Sequence, residues 1–241
     1  MLTTIFFDAA GTLFETRRPV GEFYADVARK FGADVSGKTI SAAFRHSFGN
    51  APGLAFGPGR AAVELRRLER EWWRERVADA FAGLHRFDDF NAYFEALFEF
   101  FADPANWVVY GDVFPALEEL RAAGLRMGVI SNFDGRLYRL LAGLGLDRYF
   151  ESVTISSEAG YAKPAAQVFE TALAAMHARA GEALHVGDAP HLDAAGANAA
   201  GIEAVLIKRP QEGAPAQSMQ STVATVVSSF AELVSVVRAR L

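Results

Sequence analysis

Short apolar runs punctuate the second half of the chain at Arg126–Ile130, Ser152–Ile155, Ala183–Val186 and Ala204–Ile207. Between them, apolar residues return at three- and four-residue spacing over Phe114–Ala123, Leu137–Leu144, Ala165–Arg179 and Ala194–Ala200. That spacing predicts helices, and Gly124, Gly145, Gly181 and Gly201 stand where helices stop. Alternating strand and helix predicts an α/β fold, a parallel sheet with helices on both faces. Ile5–Phe7 supplies a first strand, separated from the rest by about a hundred residues.

That intervening stretch has a different rhythm. Phe23–Phe31, Thr39–Phe48, Ala61–Phe81 and Phe90–Phe101 all carry helical spacing, and no strand pattern occurs from Pro19 to Pro104. Residues 49–60 hold four glycines and two prolines, a break between helices. The expected organisation is a sheet domain of residues 1–16 and 106–241, interrupted by an all-helical domain of residues 17–105. Trp72-Trp73 reads as packing in an amphipathic helix rather than as a substrate platform. After the last strand, Gln211–Thr222 is polar and predicts a loop. It leads into Val223–Leu241, where Phe230, Leu233 and Val237 share a helical face expected to cover the sheet edge.

Composition narrows the function. A chain of 241 residues, 51% hydrophobic, can build one large core plus a smaller insert. Net charge is −5 and only four residues are lysine, so no basic stripe exists for nucleic acid or an anionic membrane. The absence of cysteine excludes disulfides, thiolate metal sites and a thiol nucleophile. No apolar run reaches the roughly 18 residues of a membrane span, and no basic segment precedes the first apolar run. The expectation is a cytoplasmic protein, with monomer and homodimer both left open.

Four segments carry chemistry. Ile5-Phe6-Phe7 ends in Asp8, followed by Ala9-Ala10-Gly11-Thr12-Leu13, and a carboxylate at the end of a buried strand lies where open α/β sheets bind ligands. It can serve there as a nucleophile. Val129-Ile130 runs into Ser131-Asn132, whose hydroxyl and amide can hold an anion or simply cap the next helix. Gly160-Tyr161-Ala162-Lys163-Pro164 places a lysine before a proline, either as a fixed ammonium or as a solvated surface group. Finally, Leu184-His185-Val186-Gly187-Asp188 is followed by a second carboxylate, Asp193, which could also cap a helix. Asp8 and Asp188 at adjacent strand ends supply the hard oxygen ligands that Mg²⁺ prefers.

In this order, at strand ends, the segments resemble the four signatures of the haloacid dehalogenase superfamily, most of whose members are magnesium-dependent phosphatases. The resemblance spans nearly the whole chain and implies a Rossmann-like core with residues 17–105 as a helical cap. It implies that Asp8 attacks phosphorus to form an aspartyl-phosphate, that Ser131 and Lys163 hold phosphoryl oxygens, and that Ala9, Ala10, Thr12 and Asn132 line the substrate site. Mg²⁺ would be held by Asp8, the Ala10 carbonyl and Asp188, with Asp193 in support.

The chain departs from the usual D-x-D-G-T at Ala10, where the family's phosphatases carry their general acid and base. Positioned acid–base help is typically worth about 10²–10⁴ in rate. Four readings therefore stand. One is a phosphatase with a good leaving group or an acid from elsewhere, His191, His46 or His85. The others are a dehalogenase, a phosphonate hydrolase that needs Lys30 or Lys38 for a Schiff base, and a catalytically silent phosphate-binding or interaction module.

Overall fold

The computed structural model describes residues 1–209 and 224–241. Its centre is a six-stranded parallel sheet. Strand β1 (Thr4–Phe7) is buried along its whole length because it is paired on both sides. After it come β2 (Phe14–Thr16), four helices, α1 (Val20–Arg29), α2 (Gly37–Gly49), α3 (Ala62–Phe81) and α4 (Phe90–Ala102), and β3 (Trp107–Val109). The sheet then resumes through α5 (Val113–Ala122), β4 (Arg126–Ser131), α6 (Arg136–Gly143), β5 (Ser152–Ile155), α7 (Ser156–Ala159), α8 (Ala166–Ala175) and β6 (Ala183–Gly187). It closes with α9 (Gly196–Ala199), β7 (Glu203–Ile207), β8 (Thr225–Val227) and α10 (Phe230–Arg238).

Strand order is β5-β4-β1-β6-β7-β8, so the chain leaves β1 in one direction and later returns to its other side. That reversal makes β1 the switch point of the sheet, where a crevice opens beyond the strand ends. Alternation along the strands sorts two cores. Ile5, Phe7, Val129 and Val186 pack with α5, α6 and α10, while Phe6, Ile130 and Leu206 pack with α8 and α9. Helices thus cover both faces, as the sequence predicts. Phe7 stacks on Phe230 at 5.8 Å between ring centroids. Deleting its ring would cost about 3–5 kcal/mol.

Helices α1–α4 form a separate layer with its own core of Tyr24, Ile40, Val77, Phe81, Tyr93, Phe94 and Leu97. The layer is joined to the sheet by β2 and β3, which pair antiparallel from Phe14↔Val109 to Thr16↔Trp107. It also docks onto the loop after β4. The Trp73 indole donates to the buried Asp134 carboxylate at 2.6 Å, Arg136 donates to the same oxygen at 2.6 Å, and the Arg136 guanidinium lies 3.9 Å over the Phe98 ring. Trp72 is buried as well and donates to the Pro52 carbonyl. Among the described residues no helix is long and apolar enough to cross a membrane.

Several elements differ from the sequence pattern. Strands β2, β3 and β8 have three residues each, too few for a period to show. The helix expected over Ala165–Arg179 ends at Ala175, because His177 turns the chain with a φ of 48°. Ala194–Ala200 is no single helix: a wide π-type turn over Pro190–Ala195 precedes a four-residue α9. The last helix starts only at Phe230 and packs on the sheet face beside Phe7, because β8 already occupies the sheet edge. The polar segment Gln211–Thr222 lies outside the described residues.

Candidate active site

Parallel pairing brings three strand ends together. Phe7 is in register with Val129 of β4 and with Val186 of β6, so Asp8, Ser131 and Asp188 leave the sheet at one edge. The Asp8 amide donates to the Val186 carbonyl at 2.8 Å, which carries the pairing one residue further. After Asp8 the chain folds into a tight turn in which the Ala9 carbonyl accepts from Leu13 at 2.8 Å and the Gly11 amide donates to Phe14 at 2.9 Å. Gly11 sits at φ 89°, and a Cβ there would stand 2.7 Å from Asp188 Oδ2. Only glycine lets this turn pass so close to the second carboxylate.

Lys163 is the hub. Its ammonium is buried and donates to Asp8 Oδ1 at 2.7 Å and to Asp193 Oδ1 at 2.6 Å. Burial alone would lower its pKa, but the Asp193 and Asp8 carboxylates override that and raise it. Burial would likewise raise Asp193, yet the Lys163 ammonium, with the His185 hydrogen bond behind it, holds that carboxyl well below its usual range. Asp193 Oδ2 accepts the Ala189 amide at 2.9 Å. Asp193 is therefore held by Lys163, His185 and the Ala189 amide and caps no helix, since it lies within the wide turn.

Asp8, Asp188 and Asp193 each bring one carboxylate oxygen within 4.8 Å of the others. Three carboxylates around one ammonium leave an excess of negative charge. Asp188 bears the consequence. It is solvent-accessible at the rim, yet the surrounding protein and then the Asp8 and Asp193 charges push its pKa up to about 7. The Ala10 carbonyl accepts no hydrogen bond from any described residue.

The other expected residues fall as follows. Ser131 is buried at the end of β4 with no hydrogen bond on its hydroxyl among the described residues. Thr12 is fully buried, its carbonyl accepts from Arg209 at 3.2 Å, and its hydroxyl has no partner among the described residues. Asn132, expected to line the substrate site, donates through its amide nitrogen to the Lys163 carbonyl at 3.0 Å and accepts from the Lys163 amide at 2.7 Å. Both polar ends of Asn132 thus hold the lysine's main chain. The glycine- and proline-rich break at 49–60 adds a second support, with the Gly57 amide on the Gly160 carbonyl at 3.2 Å and the Leu54 carbonyl on Ser156 Oγ at 2.6 Å.

None of His191, His46 and His85 hydrogen-bonds to Asp8, Lys163, Asp188 or Asp193. His191 and His46 are exposed, and His85 packs edge-on against the Phe87 ring. Lys30 and Lys38 are exposed on the helical layer. Two further groups escape the sequence pattern. His185 reaches Asp193 Oδ1 from beneath at 2.9 Å, and a lone histidine at the centre of an apolar strand was its only signal. Tyr110, following β3, has its hydroxyl pKa raised by burial and then by Glu15 across the ribbon, with Asp188 adding to the effect.

The site can be set beside known proteins. The family model for haloacid dehalogenase-like hydrolase matches residues 2–201. Haloacid dehalogenase-like hydrolase domain-containing protein 3 of Homo sapiens is 36% identical over 213 residues, 85% of this chain and 81% of the relative. A phosphoserine phosphatase of Thermus thermophilus is 33% identical over 205 residues, 76% of this chain and 80% of its own. A crystal structure of a HAD phosphatase from Thermococcus onnurineus shares the fold with a TM-score of 0.67 at 24% identity, covering 98% of each chain. The sheet order, the strand-end carboxylates and these likenesses agree, and the chain belongs to the haloacid dehalogenase-like hydrolases.

Proposed function

We propose that the protein is a magnesium-dependent phosphatase of a small phosphorylated metabolite, acting through an aspartyl-phosphate at Asp8, with residues 17–105 as its cap. The observation that carries this reading is the Lys163 ammonium, buried between Asp8 and Asp193 with Asp188 completing the cluster. Asp8 Oδ1 is held by Lys163, which leaves Oδ2 as the attacking oxygen. It forms a bond to phosphorus as the bond to the leaving oxygen breaks, and that oxygen departs with the electron pair. Water then attacks the same phosphorus, releasing inorganic phosphate and restoring the carboxylate. Lys163 and the Ser131 hydroxyl would hold the phosphoryl oxygens.

Mg²⁺ fits the donors present: Asp8, Asp188 and the unpaired Ala10 carbonyl are hard oxygens beside uncompensated negative charge. When bound it would offset the charge of these carboxylates and of the phosphoryl group. Asp193 already accepts three hydrogen bonds, so its support to the metal is indirect. Retention of Asp188 in the cluster weighs against a metal-free dehalogenase. Exposed Lys30 and Lys38, with no apolar enclosure, weigh against a Schiff base. The name of the Thermus relative points the same way as the geometry.

Ala10 offers no proton, so the leaving group must depart unprotonated. With Mg²⁺ present, an aryl phosphate is expected to turn over about 10²–10⁴ times faster than an alkyl phosphate. Ala10→Asp is expected to narrow that ratio by accelerating the alkyl ester. Steady-state hydrolysis of both esters by both proteins tests this, and equal wild-type rates on the two would overturn it.

A further inference from the structure

We propose that His185 is a positioning residue of this site, fixing the Asp193 carboxylate so that Lys163 remains shared with Asp8. The inference rests on the phosphatase reading only for its kinetic readout. Leu184 and Val186, its neighbours on β6, enter the core on one sheet face. His185 enters the other, fully buried, with its ring edge-on to Phe169 at 5.1 Å in a layer of Phe6, Ile130, Val168 and Leu206. An apolar residue would suit that layer better, because a buried polar ring without full hydrogen bonding costs stability. Among the described residues, Nε2 has a single partner, Asp193 Oδ1 at 2.9 Å, and Nδ1 has none.

The hydrogen bonds assign the tautomer. Asp193 is kept ionised by Lys163 and has no proton to give, so the His185 Nε2–H must donate. Nε2 is therefore the ring nitrogen that carries the hydrogen-bonding proton. Asp193 Oδ1 then accepts from two sides, His185 and Lys163, while Oδ2 accepts the Ala189 amide. The strand makes room for this: a Cβ on Gly187 would lie 2.2 Å from Asp193 Cγ. With the carboxylate held at both oxygens and its charge divided, Lys163 keeps its bond to Asp8. Without His185, Asp193 can rotate and draw the ammonium toward itself, leaving Asp8 less well oriented for attack.

Three variants of the full chain separate positioning from packing. His185→Gln keeps an N–H at the reach of Nε2, His185→Asn places it one bond short, and His185→Leu removes it. With 4-nitrophenyl phosphate and Mg²⁺, His185→Leu and His185→Asn are expected to lose about tenfold in kcat with KM within about twofold, as removal of a supporting hydrogen bond typically does. His185→Gln is expected to stay within about threefold of wild type. Equal kcat in folded His185→Leu and wild type would overturn the proposal, as would a loss in His185→Gln as large as in His185→Leu. The wild-type protein gives a measurement that needs neither variant folding nor turnover. In its ¹⁵N spectrum, His185 is expected to show a protonated Nε2, and a bare Nε2 sinks the idea. Absence of turnover in wild type, with the expected spectrum, would count against the phosphatase reading and leave the positioning contact in place.

Discussion

At the sheet edge, Lys163, Asp193 and His185 meet with side chains at most 3% exposed, and each charge has a named partner. The helical layer keeps most of its ion pairs at the surface, although Glu69 and Arg76 of α3 are buried. Its pairs Arg18–Glu22, Arg60–Glu64 and Arg67–Glu71 lie on helix surfaces with side chains 38% to 59% exposed, and its interior is aromatic, with Phe87 stacked on Tyr93 at 4.1 Å. Exposed pairs of this kind contribute roughly 0–1 kcal/mol each. Breaking a buried pair by removing one partner costs about 3–5 kcal/mol. The two regions thus place charge for different ends: solubility and helix register in one, a fixed electrostatic geometry in the other. An apolar cavity of about 100 Å³ between them, lined by Tyr24, Phe44, Trp73, Trp107 and Phe133 among others, includes none of Asp8, Lys163 and Asp188.

The sharpest way to test this contrast is at the nucleophile. Asp8→Asn is expected to lower magnesium-dependent turnover to about 10⁻³ of wild type or less while the thermal melt stays cooperative. Residual turnover near wild type would move the chemistry elsewhere. Next, Lys163→Met leaves Asp193 buried without its counter-ion and is expected to destabilise by about 3–5 kcal/mol in urea unfolding. Arg67→Met on the helical layer should cost less than about 1 kcal/mol in the same assay. If the two losses match, the distinction between the regions collapses.

A smaller effect is expected where the regions touch. Trp73→Phe removes the indole donor from Asp134 but leaves Arg136 in place, so a loss of about 1–2 kcal/mol should appear in unfolding with kcat on 4-nitrophenyl phosphate nearly unchanged. The smallest effect is a dependence on pH. Asp188 titrates near 7 in the metal-free fold, against about 3.9 for an unperturbed Asp. The folded chain therefore binds the extra proton between those values. Stability from this group is full below about 3.9 and lost as pH rises through about 7. Mg²⁺ must displace that proton, so the rise in melting temperature on adding Mg²⁺ should be larger at pH 8 than at pH 6. An equal rise at both would show that Asp188 does not bind the ion.

Much of the site can be read from the chain because a buried strand that stops in a polar side chain is a local signal. Asp8, Ser131 and Asp188 each end such a run, and Lys163 stands beside a proline in a chain poor in lysine. Other contacts left no local trace. Asn132 reads as a ligand contact, and its clamp on Lys163 exists only because the loops after β4 and before α8 meet. His185 reads as one more residue of an apolar strand until the turn at 190–195 brings Asp193 over it. The ribbon of β2 and β3 pairs residues 91 apart in sequence at its closest, Thr16 with Trp107, farther along the chain than any turn signal can span.

By itself, the sequence determined the five longer strands of the sheet with most of the helices between them, the all-helical stretch after the first strand, and the polar groups at the strand ends. Those follow from periodicity and from the cost of burying polar atoms, which act over a few residues. Tertiary structure alone decided that β1 lies between β4 and β6, and hence that three carboxylates share one ammonium. It also decided which polar groups hold their neighbours. Pairing across more than a hundred residues is fixed by the packing of whole elements, so a side chain's charge and partners become defined only when the sheet closes around it.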